Sequence, residues 1–269
     1  MYSVVIATLG NINLIETINQ INNGILKPVE ILICIPKDYV NNVKNILNIN
    51  NVKIIPTNVK GQVQQRIEGF KLVKTDYTIQ LDDDIYVDEN CFNILIEKLK
   101  YFGKDSAVSP ALFFKKTKNS CYSNNYFNSK LMRFIYSNNA DVKGKISKTG
   151  AVFGINLTLL NIEHAETEWL PGGCIAHYTK NLILENFYPF HGKAYYEDVY
   201  HSILLRKKSL KLFICKNAIC FIDDYENFSS NIFISYFHEY KYKLHTLNLL
   251  KKTSFFLKFE FIFLVFNYK

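Results

Sequence analysis

Along the first hundred residues, short apolar runs alternate with segments whose apolar residues recur every three or four positions. The runs YSVVIA, VEILICI, VKII and YTIQL are rich in β-branched residues and predict buried strands. The segments predict helices through Leu14, Ile15, Ile18 and Ile21; Val40, Val43 and Leu47; Val63, Ile67, Phe70 and Val73; and Phe92, Leu95, Ile96, Leu99 and Phe102. Strands that alternate with helices predict an α/β fold with a mostly parallel central sheet flanked by helices.

Capping residues suggest where the helices begin and end. Asn13 with Glu16 offers a capping-box start for the first helix, and Gly24 offers a left-handed end. Asp88 is the predicted N-cap of the helix that carries Phe92. These predictions rest on local sequence alone.

The pattern weakens after the fourth helix. Residues 115–150 are polar, basic and rich in tyrosine, and we interpret them as loops and short elements that shape an acceptor site. The segment YYEDVYHSILLRKKSLKLFI then predicts a helix from near Glu197 and a strand after Ser209. We expect one domain at residues 1–225, with a nucleotide-binding half at 1–102 and an acceptor-binding half at 103–225.

Residues 226–269 are predicted to form a helical, aromatic extension. Lys258 and Glu260 interrupt its apolar end, which is too short to span a bilayer that requires about 20 apolar residues. Its apolar residues still require burial: Phe255, Phe256, Leu257, Phe259, Phe261, Ile262, Phe263, Leu264 and Phe266. An anionic membrane surface, a second subunit in a homo-oligomer and the protein core are the alternatives, and the basic residues just upstream favour the membrane.

Composition narrows the class of protein. The 269 residues are 48% hydrophobic and 21% charged, as in a folded globular protein. The net charge of +8 suits an anionic partner such as a nucleotide diphosphate or a membrane, whereas no nucleic-acid-binding motif is present. The six cysteines lack CxxC spacing and no signal segment precedes the first strand, so we expect reduced, mostly buried thiols and a cytoplasmic location, peripheral on the inner membrane face if the extension binds lipid.

Three adjacent aspartates, Asp82, Asp83 and Asp84, follow the run YTIQL. Neighbouring carboxylates repel one another, so such a cluster indicates either a bound cation or a solvated acidic turn. The cluster is predicted to lie at the carboxyl end of a parallel strand, where open α/β sheets bind their ligands. A calcium loop is excluded because Val87 stands where that loop requires glycine.

Four motifs in order resemble the inverting nucleotide-sugar glycosyltransferases of family 2, which have the GT-A fold. SVVIATLGN is similar to the first nucleotide-binding strand and turn, and GQVQQRIEGF to the G-x-x-x-A-R-N-x-G helix. YTIQLDDDI resembles the LDxDD segment, while PGGCIAHYTKNLI and YYEDVYHSILLRKK resemble the Gly-Gly acceptor loop and the ED helix. The resemblance extends over roughly residues 3–213.

The resemblance implies transfer of a single sugar from a nucleotide-diphosphate sugar, with UDP-sugars the first choice, to a glycan or lipid-linked acceptor in surface polysaccharide synthesis. It implies that Asp84 binds Mn²⁺ or Mg²⁺, with Asp82 near the metal or ribose and Asp83 beside the ribose or uridine. Asp198 would remove the acceptor proton, with the helix dipole keeping its carboxylate ionised. The other expected nucleotide-sugar-binding residues are Thr8, Glu30, Arg66, Gly172, Gly173 and Glu197.

Some positions depart from the family pattern. Ile35 and Pro36 stand where the family has aspartates that recognise the nucleobase, so Thr8 and Glu30 are the substitutes. CFIDDYE stands where many members have a metal-assisting histidine; either Asp223 or Asp224 substitutes for it or, as we favour, the segment is a polar turn.

Several alternatives stay open at this point. Arg66 either approaches the diphosphate or lies on the surface of its helix, and the Glu197–Asp198 pair either acts chemically or caps its helix. A sugar nucleotidyltransferase is a rival enzyme, although such enzymes usually have a glycine-rich phosphate loop and ATLGNIN offers only Gly10. A non-catalytic relative that binds a sugar nucleotide is the other rival.

Overall fold

The computed structural model describes residues 1–123, 127, 130–136, 142–224 and 232–267, with the side chains of 232–236 and 264–267 excepted. The strands are β1 (Tyr2–Ala7), β2 (Glu30–Pro36), β3 (Val52–Thr57), β4 (Tyr77–Asp82), β5 (Tyr86–Val87), β6 (Ser106–Phe114), β7 (Lys145–Ile146), β8 (Val152–Phe153), β9 (His164–Thr167), β10 (Cys174–Tyr178) and β11 (Lys211–Ile222). The α-helices are α1 (Leu14–Asn23), α2 (Gln62–Phe70), α3 (Cys91–Phe102), α4 (Lys130–Tyr136), α5 (Glu197–Lys207), α6 (Ile232–Leu249) and α7 (Phe255–Asn267).

Within these described ranges, nine strands form one sheet in the order β3-β2-β1-β4-β10-β6-β11-β5, with β9 paired to β11. Strands β1 to β4 pair in parallel, and so do β6 and β11. Strand β10 lies antiparallel between β4 and β6, and thereby joins the two parallel groups. The predicted α/β fold with a mostly parallel sheet is confirmed.

Both faces of the sheet are covered. Val4 and Ile6 of β1 pack in a core with residues of α1 and α3, whereas Val5 packs on the opposite face with Phe70 of α2. Because both faces are buried, β1 and β2 read as nearly continuous apolar runs and not as alternating ones. Five of the six cysteines are buried in this interior, as predicted.

The strand register sets the position of the site. Ala7 at the end of β1 lies opposite Cys34 of β2 and opposite Asp82 of β4. The carboxyl ends of these parallel strands therefore meet at one edge of the sheet. The chain leaves β4 at this edge through Asp83 and Asp84.

The predicted bounds of α1 were correct, but its two capping interactions and the start of α3 were wrong. Asn13 makes no side-chain capping hydrogen bond, and Gly24 is extended, because the chain there turns directly towards β2. Helix α3 begins at Cys91, not just after Asp88, because Asp88 instead accepts from the N–H of Asn90 and so stabilises the turn ahead of the helix.

Two further predictions of helix extent also need correction. The segment through Val40 forms a 3₁₀ helix, Lys37–Ile46, which Val43 interrupts with a non-helical backbone. Val73 lies beyond the end of α2. In both cases the apolar spacing is correct but the backbone does not continue as an α-helix.

Helices α6 and α7 pack against each other near the end of the chain. Lys243 of α6 and Glu260 of α7 form a buried ion pair at 2.7 Å, and the Tyr136 hydroxyl donates to the same carboxylate oxygen at 2.5 Å. The core accounts for only part of the burial predicted for α7: Leu257 is buried, whereas Phe255 is 66% exposed, so the membrane and subunit alternatives apply to the exposed residues. The side chains of Leu264 and Phe266 and the predicted domain boundary at 225–226 lie outside the described residues.

A search of the described helices for a membrane-spanning segment finds none that is long and apolar enough.

Candidate active site

A cleft of about 910 Å³ opens at the carboxyl edge of the sheet. It is lined by Ala7, Thr8, Leu9, Gly10, Asn11, Lys60, Gly61, Gln62, Gln65, Asp82, Asp83, Asp84, Gly192, Lys193 and Ala194. Its volume is in the upper part of the range for small-molecule sites. The turn after β1, the start of α2, the end of β4 and the loop before α5 form its walls.

The three aspartates have different surroundings in this cleft. Asp82 accepts hydrogen bonds from Arg66 and from Gln62, the latter at 2.9 Å. Asp83 accepts from the Thr8 hydroxyl. Asp84 is exposed to the cleft. Asp83 is therefore held in place by hydrogen bonding, which contradicts the simple acidic turn for that residue.

The electrostatics of the cluster favour a cation. Desolvation and the charges of Asp82 and Asp83 raise the pKa of Asp84 to about 6. Burial likewise raises the pKa of Asp83, although its hydrogen bond from Thr8 acts in the opposite direction. The negative charges therefore destabilise one another, and a bound cation would relieve that repulsion.

Arg66 lies beneath the cleft and connects two motifs. It is only 2% exposed, and its guanidinium donates to Asp82 through one nitrogen and to Glu197 at 2.6 Å through another. Burial lowers the pKa of Arg66, but the charges of Glu197 and Asp82 outweigh it and raise that pKa overall. The surface position that the sequence left open for Arg66 is excluded, and the end of β4 is joined to the start of α5.

Asp198 follows Glu197 in the first turn of α5. Its carboxylate accepts from the N–H of Gly172 at 3.3 Å and from the N–H of Val199 at 2.9 Å. Burial and the charge of Glu197 raise the pKa of Asp198 to about 7. The helix dipole was expected to keep this carboxylate ionised, but desolvation and the neighbouring carboxylate outweigh the two N–H donors and raise its pKa.

The Gly-Gly loop packs tightly against these carboxylates. A Cβ atom added to Gly172 would lie 2.8 Å from Glu197 Oε1 and 2.9 Å from Asp198 Cβ. The carbonyl of Gly173 accepts from the N–H of Asp82 at 2.9 Å. Because Gly172 and Gly173 lack side chains, the loop has room to contact both the end of β4 and the start of α5.

Two glutamines of α2 contribute to the site and were missed in the sequence. Gln62 donates to Asp82, and Gln65 donates at 2.9 Å to the carbonyls of both Thr8 and Cys34. Gln65 thereby ties the ends of β1 and β2 to α2. Both residues could have been recognised because they are polar, belong to the same motif as Arg66 and lie on the face of α2 that packs on the sheet.

Lys60 and Lys193 are cations of the cleft lining that the sequence analysis also missed. The charge of Lys193 lowers the pKa of Asp84, against the larger effects that raise it. Lys193 belongs to the segment PFHGKAYYED, which has no periodicity that would have assigned it to the cleft.

Of the predicted site residues, Thr8, Asp82, Asp83 and Asp84 line the cleft, and the others do not: Glu30, Arg66, Gly172, Gly173, Glu197 and Asp198. Glu30 lies at the amino end of β2 opposite Ser3, and it pairs with Lys53 at 2.6 Å. Because the cleft is at the carboxyl end, Glu30 is at the wrong edge of the sheet for a nucleobase pocket. Asp223 and Asp224 bond to Tyr86 and to the N–H of Lys116, and neither lines the cleft.

A second cavity of about 340 Å³ lies on the α5 side of the molecule. Its lining is Phe127, Met132, Tyr136, Ala151, Val152, Phe153, Tyr196, Glu239, Lys243 and Glu260. Tyr196 directly precedes Glu197 and Asp198 in the chain. Aromatic rings with a few charged groups thus surround a space next to the first turn of α5.

The carboxylates of the cleft fit a divalent metal ion. Across the described residues there is no cluster of three or more His, Cys, Asp or Glu side chains arranged as a complete metal site. Mg²⁺ is nevertheless commonly held by one or two carboxylates together with substrate phosphates. Asp84 and the second carboxylate oxygen of Asp82 meet that requirement, because Arg66 and Gln62 both bond to the first oxygen of Asp82.

Comparison with known proteins identifies the family of the chain. The family described as Glycosyl transferase family 2 matches residues 3–153, more than half of the chain. No curated protein matches the sequence.

Two solved structures share the fold. The structure of GalNAc-T7 with UDP, GalNAc and Mn²⁺ has a TM-score of 0.59 and 15% identity, and the match covers 86% of this chain and 44% of that chain. The structure of S. aureus TarS 1–349 in complex with UDP-GlcNAc has a TM-score of 0.52 and 12% identity, and the match covers 86% of this chain and 61% of that chain. The chain therefore spans less than two thirds of either neighbour, and at these identities the likeness concerns the fold.

Proposed function

The chain belongs to glycosyl transferase family 2, and from this premise we propose that it transfers a single sugar from a nucleotide-diphosphate sugar to an acceptor hydroxyl. The observation that carries the proposal is the ion-pair chain Asp82–Arg66–Glu197, which joins the aspartate cluster in the cleft of about 910 Å³ to Glu197, the residue directly before Asp198. Residues far apart in sequence are thereby held in one arrangement that has carboxylates for a metal and a separate carboxylate for a proton. Such an arrangement suits group transfer better than it suits a non-catalytic relative that only binds a sugar nucleotide.

Asp198 is the proposed base. Transfer with inversion forms a bond from the acceptor oxygen to the anomeric carbon while the bond from that carbon to the phosphate oxygen breaks. The acceptor proton moves to the Asp198 carboxylate, and the nucleoside diphosphate leaves with the electron pair. A pKa of about 7 suits this task, because a base near the working pH is both ionised and able to accept a proton.

The aspartate cluster is the proposed diphosphate site. Asp84 and Asp82 would hold Mn²⁺ or Mg²⁺, which neutralises charge on the leaving diphosphate as a Lewis acid. Asp83 and Thr8, joined by their hydrogen bond, would contact the nucleoside. Lys60 and Lys193, the cations of the cleft lining, would attract the diphosphate.

UDP-sugars are the first donors to test, because GalNAc-T7 was solved with UDP and TarS with UDP-GlcNAc. The cavity of about 340 Å³ beside Tyr196 is the proposed acceptor pocket, since aromatic side chains give flat apolar surfaces for sugar rings. We also propose a glycan or lipid-linked acceptor and a role in surface polysaccharide synthesis. The division into residues 1–102, 103–225 and 226–269 and a cytoplasmic location are further parts of the proposal.

The test begins with a panel of UDP, GDP, dTDP and CDP in the presence of Mn²⁺. The preferred nucleotide should raise the melting temperature most, because a ligand that binds only the folded state stabilises it. The sugar nucleotides of that base are then incubated with the protein and glycan acceptors, and release of the nucleoside diphosphate is measured. Proton NMR of the product reports whether the anomeric configuration is inverted.

Asp198→Asn is the decisive variant, with Asp105→Asn as its isosteric control. Asp105 is highly exposed, with only a 4.0 Å contact to Lys180, so its substitution should leave turnover unchanged. Asp198→Asn should lower turnover roughly 10²-fold while nucleotide binding persists. Nucleotide binding without any transfer by the wild-type protein would instead favour the non-catalytic relative.

A further inference from the structure

Helix α7 has an unusual distribution of side chains. Phe255, Phe259 and Ile262 are 66%, 42% and 54% exposed and recur at helical spacing, so they lie on one outward face. The helix's one acidic residue, Glu260, points inward and is 3% exposed. The helix therefore buries a charge and presents phenylalanines outward, the reverse of an ordinary surface helix.

Helix α4 extends this outward face. Leu131 and Phe134 of α4 are 46% and 59% exposed, and the Phe134 ring lies 5.5 Å from that of Phe256 in α7. The Phe256 ring in turn lies 5.4 Å from that of Phe255. We call the exposed set Leu131, Phe134, Phe255, Phe259 and Ile262 the α4–α7 face.

The cations around this face are numerous and lack acidic neighbours on the two helices. Lys130 and Arg133 belong to α4, Lys258 belongs to α7, and Lys251 and Lys252 shortly precede α7 in the chain. The Lys148 ammonium lies 4.7 Å from the centre of the Phe256 ring and 5.4 Å from that of Phe134, so at least one cation belongs to the apolar surface itself. Neither α4 nor α7 has an acidic residue other than the buried Glu260.

We infer that the α4–α7 face docks on an anionic lipid bilayer. Exposed phenylalanines enter the interface between headgroups and acyl chains, and the surrounding cations bind anionic headgroups. A second copy of the chain would place two such cationic faces against each other, and their repulsion disfavours it as the occupant. The charge complementarity therefore selects a membrane surface.

Docking through this face would also determine where the cavity of about 340 Å³ lies. Met132 and Tyr136 of α4 and Glu260 of α7 line the cavity of about 340 Å³ on the inner side of the same two helices. Docking would therefore place that cavity, with Tyr196 at its wall, close to the bilayer. The docking itself does not depend on the proposed function, since it requires neither donor nor acceptor.

The test is co-sedimentation of the full-length protein with vesicles of phosphatidylcholine, with or without phosphatidylglycerol. The protein should sediment with the anionic vesicles at low salt, and high salt should weaken binding because it screens the headgroup charge. Arg133→Gln combined with Lys258→Gln should weaken partitioning about 25-fold, at about fivefold per cation. Phe255→Ser combined with Phe259→Ser should weaken it at least about tenfold, because less apolar area enters the bilayer.

The matched control is Ile25→Ser combined with Leu47→Ser. These residues are 64% and 58% exposed and lie on neither α4 nor α7, so vesicle binding should stay at the wild-type level. Melting temperatures verify that each variant is folded. Equal sedimentation with neutral vesicles, retention of the wild-type protein in the supernatant, or wild-type binding by both face variants would overturn the inference. So would a wild-type dimer that the face variants dissociate.

Discussion

At the scale of single residues, the protonation state of Asp198 should control the rate. Its pKa is raised to about 7, so below that pH the carboxyl group carries a proton and cannot accept another. We expect kcat/KM to rise about tenfold per pH unit below pH 7 and to level off above it. In Asp198→Asn the rate should be low and this dependence should disappear. A profile with the same rise in both proteins would assign the titration to another group.

Arg66 should be important for folding as well as for the site. Arg66→Gln removes the counter-charge of Glu197, which is itself only 6% exposed, and leaves that carboxylate buried and unpaired. Loss of one partner from a buried pair typically costs about 3–5 kcal/mol of unfolding free energy. Urea denaturation measures the change.

Arg206→Gln is the matched control for Arg66→Gln. Arg206 and Glu168 are 3.9 Å apart and about one third exposed, so their separation should cost less than about 1 kcal/mol. Similar costs for the two variants would mean that the buried ion pair does not have the stabilising role given to it here.

At the scale of elements, helix α2 requires close contact with the sheet at Gly69. A Cβ atom there would lie 2.4 Å from the sulfur of Cys34 and 2.6 Å from Cγ1 of Val5, both on strands. Gly69→Ala should therefore destabilise the protein by about 1–3 kcal/mol, because overpacking forces the helix outward. Urea denaturation again gives the value.

Gly61→Ala, at the start of the same helix, is the control. A Cβ atom added there meets nothing within 4 Å, and its backbone is extended, so its unfolding free energy should change little. If both alanine variants unfold at the wild-type urea concentration, α2 is not packed as closely as the structure indicates.

The elements also show what local sequence can predict. Strands β1 to β4 and the helices between them follow from apolar spacing, which neighbouring residues determine. The capping predictions at Asn13 and Asp88 failed because other local hydrogen bonds form: Asn11 accepts from the N–H of Asn13, and Asp88 accepts from the N–H of Asn90. Glu30 was misplaced because its role depends on which end of β2 it occupies, and periodicity alone does not decide that.

At the scale of the whole molecule, the site depends on contacts that no local pattern contains. Arg66 and Glu197 are 131 positions apart, and they meet because β10 inserts antiparallel between β4 and β6. The motifs predicted roles for the aspartates, the glycines and Asp198 by resemblance. The ion pairs that join them, the raised pKa of Asp198 and the buried charge of α7 required the three-dimensional structure.

The central claim is that the aspartate cluster binds a nucleoside diphosphate together with a divalent metal. Calorimetric titration of UDP in the presence of Mn²⁺, on the wild-type protein, Asp84→Ala and the exposed control Asp105→Ala, tests it most directly. We expect the wild type and Asp105→Ala to bind UDP equally, and Asp84→Ala to bind at least about tenfold more weakly, as the wild type should in excess EDTA. Equal UDP affinity in all three proteins, unaffected by EDTA, would contradict the account.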